Sequence, residues 1–180
     1  MQNKKINISN IKVVILAGGL GTRLSEYTKL IPKPMIKICG KPILFHIIEH
    51  YQKFGFKKFI LATGYKSDYI LNYFKKKKKF KEIKKRVKIK KKQSLFIQEK
   101  NFSKFYIINT GLNTMTGGRL KRLKSFIKDD DVFCLTYGDG ISDVNLKKVL
   151  KLHIKRDKIT TVTAVRPPSR FGALKIKRNN

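Results

Sequence analysis

Two cysteines, eleven acidic residues and no long apolar stretch are what this 180-residue chain is poor in. Cys39 and Cys134 lie far apart with no metal-type spacing, so neither a disulfide framework nor a thiolate metal site is expected, and a reducing, cytoplasmic setting fits. No run approaches the roughly 20 apolar residues that a bilayer crossing needs, so no membrane span is expected. The lysines near the N-terminus precede an apolar core, Val13 to Ala17, that is too short for a secretory signal and runs straight into glycines. No internal repeat is present. Two familiar phosphate loops are missing too. No glycine is followed four residues later by Gly-Lys-Ser/Thr, and Leu24 stands where a dinucleotide fingerprint needs its third glycine.

The shortage of acid leaves a formal charge of +32 and a pI near 10.3. Such a balance ordinarily suggests a polyanionic partner. Lysine, however, supplies 35 of the 43 basic residues. A nucleic-acid reader would more often use arginine with interleaved aromatics, so no nucleic-acid partner is expected. The excess of Lys, Ile and Asn reads instead as drift in an AT-rich coding sequence. Thirteen basic residues fall between Lys75 and Lys92 against the single acid Glu82. Like charges at this density favour a solvated surface insertion. Within it Val87 and Ile89 alternate with lysines in the manner of an edge strand.

What the chain does have is the stretch Leu16 to Pro34, LAGGLGTRLSEYTKLIPKP. The apolar run Val13–Leu16 reads as a buried parallel strand. Gly18, Gly19 and Gly21 just beyond it allow a sharp turn and a close backbone approach to a ligand. Successive amides in such a turn form an anion-binding concavity, to which Arg23 and Lys33 add charge. The expected ligand is a polyphosphate.

Further along, Lys41-Pro42 opens a helix carrying Ile43, Leu44, Ile47, Ile48, Tyr51 and Phe54, with Gly55 as its stop. Phe59–Thr63 reads as a buried strand, and Ser67 caps a helix with Ile70, Leu71 and Phe74. A strand at Phe105–Ile108 and a helix at Gly118–Ile127 follow. The buried strand Val132–Tyr137 then ends at Gly138-Asp139-Gly140, and Asn145 caps a helix to about Lys155. Thr160–Val165 reads as a β-branched strand. The alternation specifies an α/β fold, a Rossmann-like, mostly parallel sheet with helices on both faces. It occupies one domain over 11–180 behind a short extension, 1–10. Ligands of such sheets bind beyond the carboxyl ends of the strands, where both Gly18–Arg23 and Gly138–Asp139 fall.

Asp139, between two glycines at a strand end, suits either an Asx-type turn or Mg²⁺, which takes one or two carboxylates with phosphate oxygens and waters. A phosphate loop on the same sheet edge favours the metal. His46, Glu49 and His50 match an H-x-x-E-H zinc pattern. The apolar stripe already explains that helix and no third ligand follows, so ordinary helix histidines are expected there. His153 carries no evident partner.

LAGGLGTRLSEYTKLIPKPM with GKPILFHIIEHY resembles the signature of the sugar-phosphate nucleotidyltransferases. The segment TGLNTMTGGRLKR, Thr110–Arg122, resembles their cytidylyltransferase branch acting on glucose 1-phosphate, and TYGDG with RPPSRFGALKI extends the match. The resemblance implies a reaction of CTP with α-D-glucose 1-phosphate to give CDP-glucose and pyrophosphate, with Mg²⁺ as cofactor. The broader alternatives are another sugar-1-phosphate nucleotidyltransferase or a CTP-binding remnant without turnover.

By the same resemblance Leu16, Ala17, Gly18, Gly19 and Leu20 line the substrate site. Gly21, Thr22 and Arg23 hold the triphosphate, and Lys33 binds phosphate. Thr114, Arg119 and Gly138 contribute to the CTP site, and Asp139 binds the metal. Arg23, Lys33 and Asp139 are the expected catalytic set. Homo-oligomerisation and a role in surface-polysaccharide sugar synthesis are implied in the same way. Asn109 and Leu112 stand where this branch usually shows acids, and Ser169 replaces a usual glycine. The family continues past the position of Asn180 with a lysine-bearing segment, a sugar-binding Asn-Gly-Gly element and a second metal-binding aspartate. The chain is therefore expected to correspond to the N-terminal part of such an enzyme, chiefly its nucleotide side.

Overall fold

Apolar runs too short for helices become the strands of one twisted sheet. The computed structural model describes residues 7–21, 30–76, 80–82, 94–99 and 103–165. Thr22, Arg23 and Leu24, most of the lysine-rich run including Val87 and Ile89, and the Arg166–Ile176 element with Ser169 lie outside the described residues. The strands are β1 (Lys12–Ala17), β2 (Lys37–Ile38), β3 (Lys41–Pro42), β4 (Lys58–Thr63), β5 (Phe80–Glu82), β6 (Ser94–Glu99), β7 (Lys104–Asn109) and β8 (Phe133–Tyr137). The helices are α1 (Ile43–Lys53), α2 (Ser67–Lys76), α3 (Thr116–Arg122), α4 (Lys124–Ile127) and α5 (Leu146–Arg156). The chain divides into two units, residues 1–143 and 144–180.

In the first unit the six-stranded sheet has the order β5-β6-β7-β4-β1-β8. The four strands β7, β4, β1 and β8 run parallel, while β6 and β5 add antiparallel pairs at one side. β2 and β3 form a separate two-stranded ribbon.

Register decides which residues enter which core layer, because successive side chains in a strand alternate between faces. Val14 and Leu16 of β1, Ile60 and Ala62 of β4 and Ile108 of β7 share one face, where Leu123 is buried against them and Leu120, Phe126 and Ile127 pack alongside. On the other face Phe59 of β4 stacks on its cross-strand partner Phe105 of β7, with ring centres 5.1 Å apart and planes 13° from parallel. Phe74 of α2 meets Phe105 at 5.5 Å and Phe45 of α1 at 5.1 Å. Helices thus cover both faces, as the alternation of elements required.

Local chemistry explains the ends of α1. Pro42 stands at its N-cap, and Gly55 follows its C-cap with φ +95°, its N–H donating to the Gln52 carbonyl at 2.9 Å. The helix expected over 118–127 is instead two. Leu123, at φ −92° and ψ 2°, ends α3 and precedes α4, and this turn carries its side chain fully into the core. Apolar spacing alone could not reveal that break.

β8 also departs from expectation. Leu135 and Tyr137 are 45% and 60% exposed rather than buried, because β8 pairs only with β1 and is outermost among the described strands.

In the second unit Asn145 caps α5 by accepting from the Lys148 N–H at 3.1 Å, and Asp157 closes it in the left-handed conformation. His153 does have a partner: its Nδ1 shares a hydrogen bond with Thr161 Oγ1 at 2.9 Å. The strand expected at Thr160–Val165 is not formed, and Val162 and Val165 are exposed. β-branched residues favour an extended chain, but a strand also needs a hydrogen-bonded neighbour, and none is present among the described residues.

Burial raises two pKa values in the first unit. Desolvation, with the nearby Cys134 thiol adding to it and a Thr136 hydrogen bond opposing it, pushes the Tyr51 phenol from 10.0 to about 12. Desolvation alone pushes Cys134 from 9.0 to about 11. Both groups hold their protons more tightly when folded, so their contribution to stability is complete below pH 9 and is lost as pH rises through the folded values. Denaturant midpoints should therefore fall progressively between about pH 9 and pH 12, and Tyr51→Phe should flatten part of that slope. An identical pH profile in Tyr51→Phe would contradict the assignment.

Candidate functional site

The order β4-β1-β8 places the two neighbours of β1 on opposite sides, reached by connections that leave in opposite directions. The crevice beyond such a reversal is where open α/β sheets take their ligands. Gly18 follows β1 there and Gly138-Asp139 follows β8, with the ladder continued by the Gly138 N–H on the Leu16 carbonyl at 2.9 Å.

Lys33 reaches this crevice from a short 3-10 turn, Lys33–Met35, framed by Pro32 and anchored by buried Pro34 and Met35. Proline on either side of the lysine fixes φ and limits where its stem can start. Pro34 packs so near Gly138 that a Cβ on the glycine would lie 3.2 Å from Pro34 Cγ. The outcome is an ion pair across 106 positions of sequence: Lys33 Nζ donates to Asp139 Oδ2 at 2.5 Å.

A second construction joins the ends of three strands. The pairs Ala17↔Thr63 and Thr63↔Asn109 are level, so Gly18, Gly64 and Thr110 emerge side by side. Arg119 of α3, only 4% exposed, lies across them. Its Nη1 donates to the carbonyls of Thr63 (3.1 Å) and Gly111 (2.7 Å) and to Thr110 Oγ1 (2.7 Å). Its Nη2 donates to the carbonyls of Gly18 (2.6 Å) and Leu112 (3.2 Å). Burial pushes its pKa down from the usual value, and the neighbouring Arg122 charge adds to this. A Cβ on either Gly18 or Gly64 would overlap the Arg119 guanidinium.

Around this cation the 110–114 loop is held from within. Thr114 Oγ1 donates to the Thr110 carbonyl at 2.8 Å, and Arg122 Nη1 donates to both Thr110 O and Thr114 Oγ1. Asn109 Oδ1 accepts from the Gly111 N–H at 2.9 Å. An aspartate can accept that same bond, so asparagine at this position preserves the turn.

Of the residues expected at the site, Gly18, Gly19, Leu20, Lys33, Gly138 and Asp139 come together at this sheet edge. Leu16 and Ala17 end β1 with their side chains in the core, while Gly19 and Leu20 are exposed. Gly21 turns with φ +69°. Thr114 and Arg119 flank the loop after β7. Sequence reasoning missed Gly64, for which a glycine directly after the buried run of β4 was the available signal, and it gave Thr110 and Arg122 no role beyond ending the segment that carries the resemblance. The side chains of the histidine pattern on α1 have other partners. His46 donates to the Ile38 carbonyl at 2.9 Å, Glu49 pairs with Lys41 at 2.6 Å, and His50 lies edge-on to Phe54.

Among the described residues no three His, Cys, Asp or Glu side chains gather to cage a metal. The donor chemistry at Asp139 fits a different use. A lone carboxylate with its charge aimed at a cation, here the Lys33 ammonium, suits an ion that brings phosphate oxygens and waters as its remaining ligands.

Comparison with known proteins converges on one group. Residues 12–180 match the family model described as nucleotidyl transferase. The chain is 44% identical over 173 residues to the glucose-1-phosphate cytidylyltransferase of Salmonella typhimurium, covering 93% of this chain and 65% of that protein. It is 38% identical over 167 residues to a probable glucose-1-phosphate cytidylyltransferase of Bacillus subtilis, with the same shares of each chain. Among solved structures, HddC of Yersinia pseudotuberculosis complexed with GMP-PN matches with a TM-score of 0.60 and 32% identity, over 80% of this chain and 54% of that one. The chain thus spans 65% of the length of these curated relatives.

Proposed function

Because the chain belongs to the nucleotidyl transferase family, we propose that it carries the nucleotide side of a sugar-1-phosphate cytidylyltransferase. In this reading CTP and α-D-glucose 1-phosphate give CDP-glucose and pyrophosphate. The observation that carries it is the convergence of the glycine loop, Lys33 and Asp139 at the β1/β8 switch point. The choice of cytosine rests on the 44% identity to the Salmonella enzyme.

The chemistry asks little covalent help from the protein. A phosphate oxygen of the sugar phosphate attacks the α-phosphorus of CTP. One P–O bond forms, the α–β P–O bond breaks, and its electron pair leaves with pyrophosphate. The second pKa of a phosphate monoester is about 6, so the nucleophile is already largely deprotonated and needs no general base. Positioning and charge stabilisation carry such transfers. In this assignment Lys33, with Arg23, offsets charge on the departing pyrophosphate. Asp139 would hold Mg²⁺, which when bound neutralises charge on the phosphate oxygens. Backbone amides of the glycine loop take the remaining phosphate contacts.

The base is tested by measuring pyrophosphate release with glucose 1-phosphate and CTP, UTP or GTP in turn. CTP should be favoured by at least about tenfold, since a site built to hydrogen-bond one base leaves polar groups unpaired with another. Equal rates with all three would defeat the cytidyl assignment. A preference for GTP would turn the reading toward the guanylyltransferase of Campylobacter jejuni, which is 37% identical over 143 residues.

A further inference from the structure

Arg119 poses a physical question that a role as nucleotide ligand leaves open. Its guanidinium is buried, and the acceptors of its two terminal nitrogens are four main-chain carbonyls and one hydroxyl, all neutral. A buried cation of this kind is costly unless its geometry serves something. All peptide bonds in the described structure are trans. In a trans peptide the C=O of one residue and the N–H of the next point in opposite directions. Drawing the carbonyls of Gly18, Gly111 and Leu112 inward onto one guanidinium therefore turns the N–H groups of Gly19, Leu112 and Asn113 outward. Those three residues are exposed, and no atom lies within 4 Å of the Cβ position of Gly19.

Resting on the nucleotide reading above, we infer that Arg119 is a positioning residue: it staples the carbonyl sides of the glycine loop and the 110–112 loop and so aims the amides of Gly19, Leu112 and Asn113 at the nucleotide phosphates. A side chain at Gly18 or Gly64 would meet this guanidinium first, its Cβ overlapping Nη1, and the close backbone, Gly64 N at 2.9 Å for Gly18 and Gly111 O at 2.6 Å for Gly64, adds to the crowding. Of Gly18, Gly19 and Gly64, Gly19 has open space at its Cβ position. Arginine is required because a lysine ammonium, a single point donor, cannot span three strand ends as a planar fork can.

The test measures binding of inorganic triphosphate and of CTP to the whole chain by calorimetry, with thermal midpoints alongside. Arg119→Lys, which keeps the charge, should weaken triphosphate binding by about ten- to a hundredfold, the range for losing hydrogen bonds to a charged group, and Arg119→Met should do the same. Gly18→Ala should weaken binding comparably in the parent chain and clearly less in the Arg119→Met background, where the overlap with the guanidinium is gone and only the 2.9 Å approach to the Gly64 backbone nitrogen remains. Wild-type affinity in Arg119→Lys, or a Gly18→Ala effect of equal size in both backgrounds, overturns the staple.

A measurement on the parent chain guards against variants that fail to fold. Triphosphate should shift the amide resonances of Gly19, Leu112 and Asn113 and leave the Arg119 guanidinium resonance in place; the reverse pattern overturns the inference in favour of direct contact. A parent chain that binds neither triphosphate nor CTP would remove the nucleotide reading itself. Variants that bind as well as a binding parent would remove only the staple.

Discussion

Asp139→Asn should lower pyrophosphate release from CTP and glucose 1-phosphate by about a thousandfold, the upper end of what one misplaced electrostatic group costs. The substitution keeps shape and removes charge. It takes away the carboxylate proposed to hold the metal and the partner of Lys33 at 2.5 Å. The fold should scarcely notice. Both side chains are about a third exposed, at 28% and 33%, and ion pairs in such surroundings contribute about 1 kcal/mol or less. A thermal midpoint close to the parent, together with weaker Mn²⁺ binding in the presence of CTP, would place the loss in the site. Turnover that survived at the parental rate would remove Asp139 from the catalytic set.

The largest effect on stability should come from Phe105→Ala, at about 3–5 kcal/mol. Phe105 is 1% exposed, stacks on Phe59 and meets Phe74 of α2. It is where β4, β7 and the helix above them share one apolar contact. Truncation removes burial from all three and leaves a hole that the sheet backbone cannot close. Domains are stable by only about 5–15 kcal/mol, so the loss is a large fraction of the whole. At about 2–4 °C per kcal/mol for this chain length, the thermal midpoint should fall by roughly 6–20 °C. A change under about 2 °C would mean that the aromatic layer is not the keystone of that face.

Much of the architecture could be read locally. β1, β4 and β7 are continuous apolar runs bounded by turn residues, and α1 carries its own stop at Gly55. The glycine loop, the proline-flanked Lys33 and Asp139 each announced themselves within a few residues of sequence. What stayed hidden depends on distant partners. Arg119 entered the expected CTP site by resemblance alone; that it turns inward depends on partners such as a carbonyl 101 positions away, at Gly18. The exposure of β8 depends on whether anything pairs beyond it, and the irregular Thr161–Val165 on whether a ladder partner is at hand. The division of α3 from α4 follows from a core position for Leu123 that only the assembled sheet defines.

The level ends of β1, β4 and β7 carry a last consequence, for how the chain can change in length. Gly18, Gly64 and Thr110 meet one guanidinium because their three strands finish flush. One residue inserted into β4 would carry Gly64 outward by about 3.3 Å and reverse the faces of every side chain after it. Insertions and deletions should therefore be tolerated in the connections and rejected within these strands, whatever residue is added.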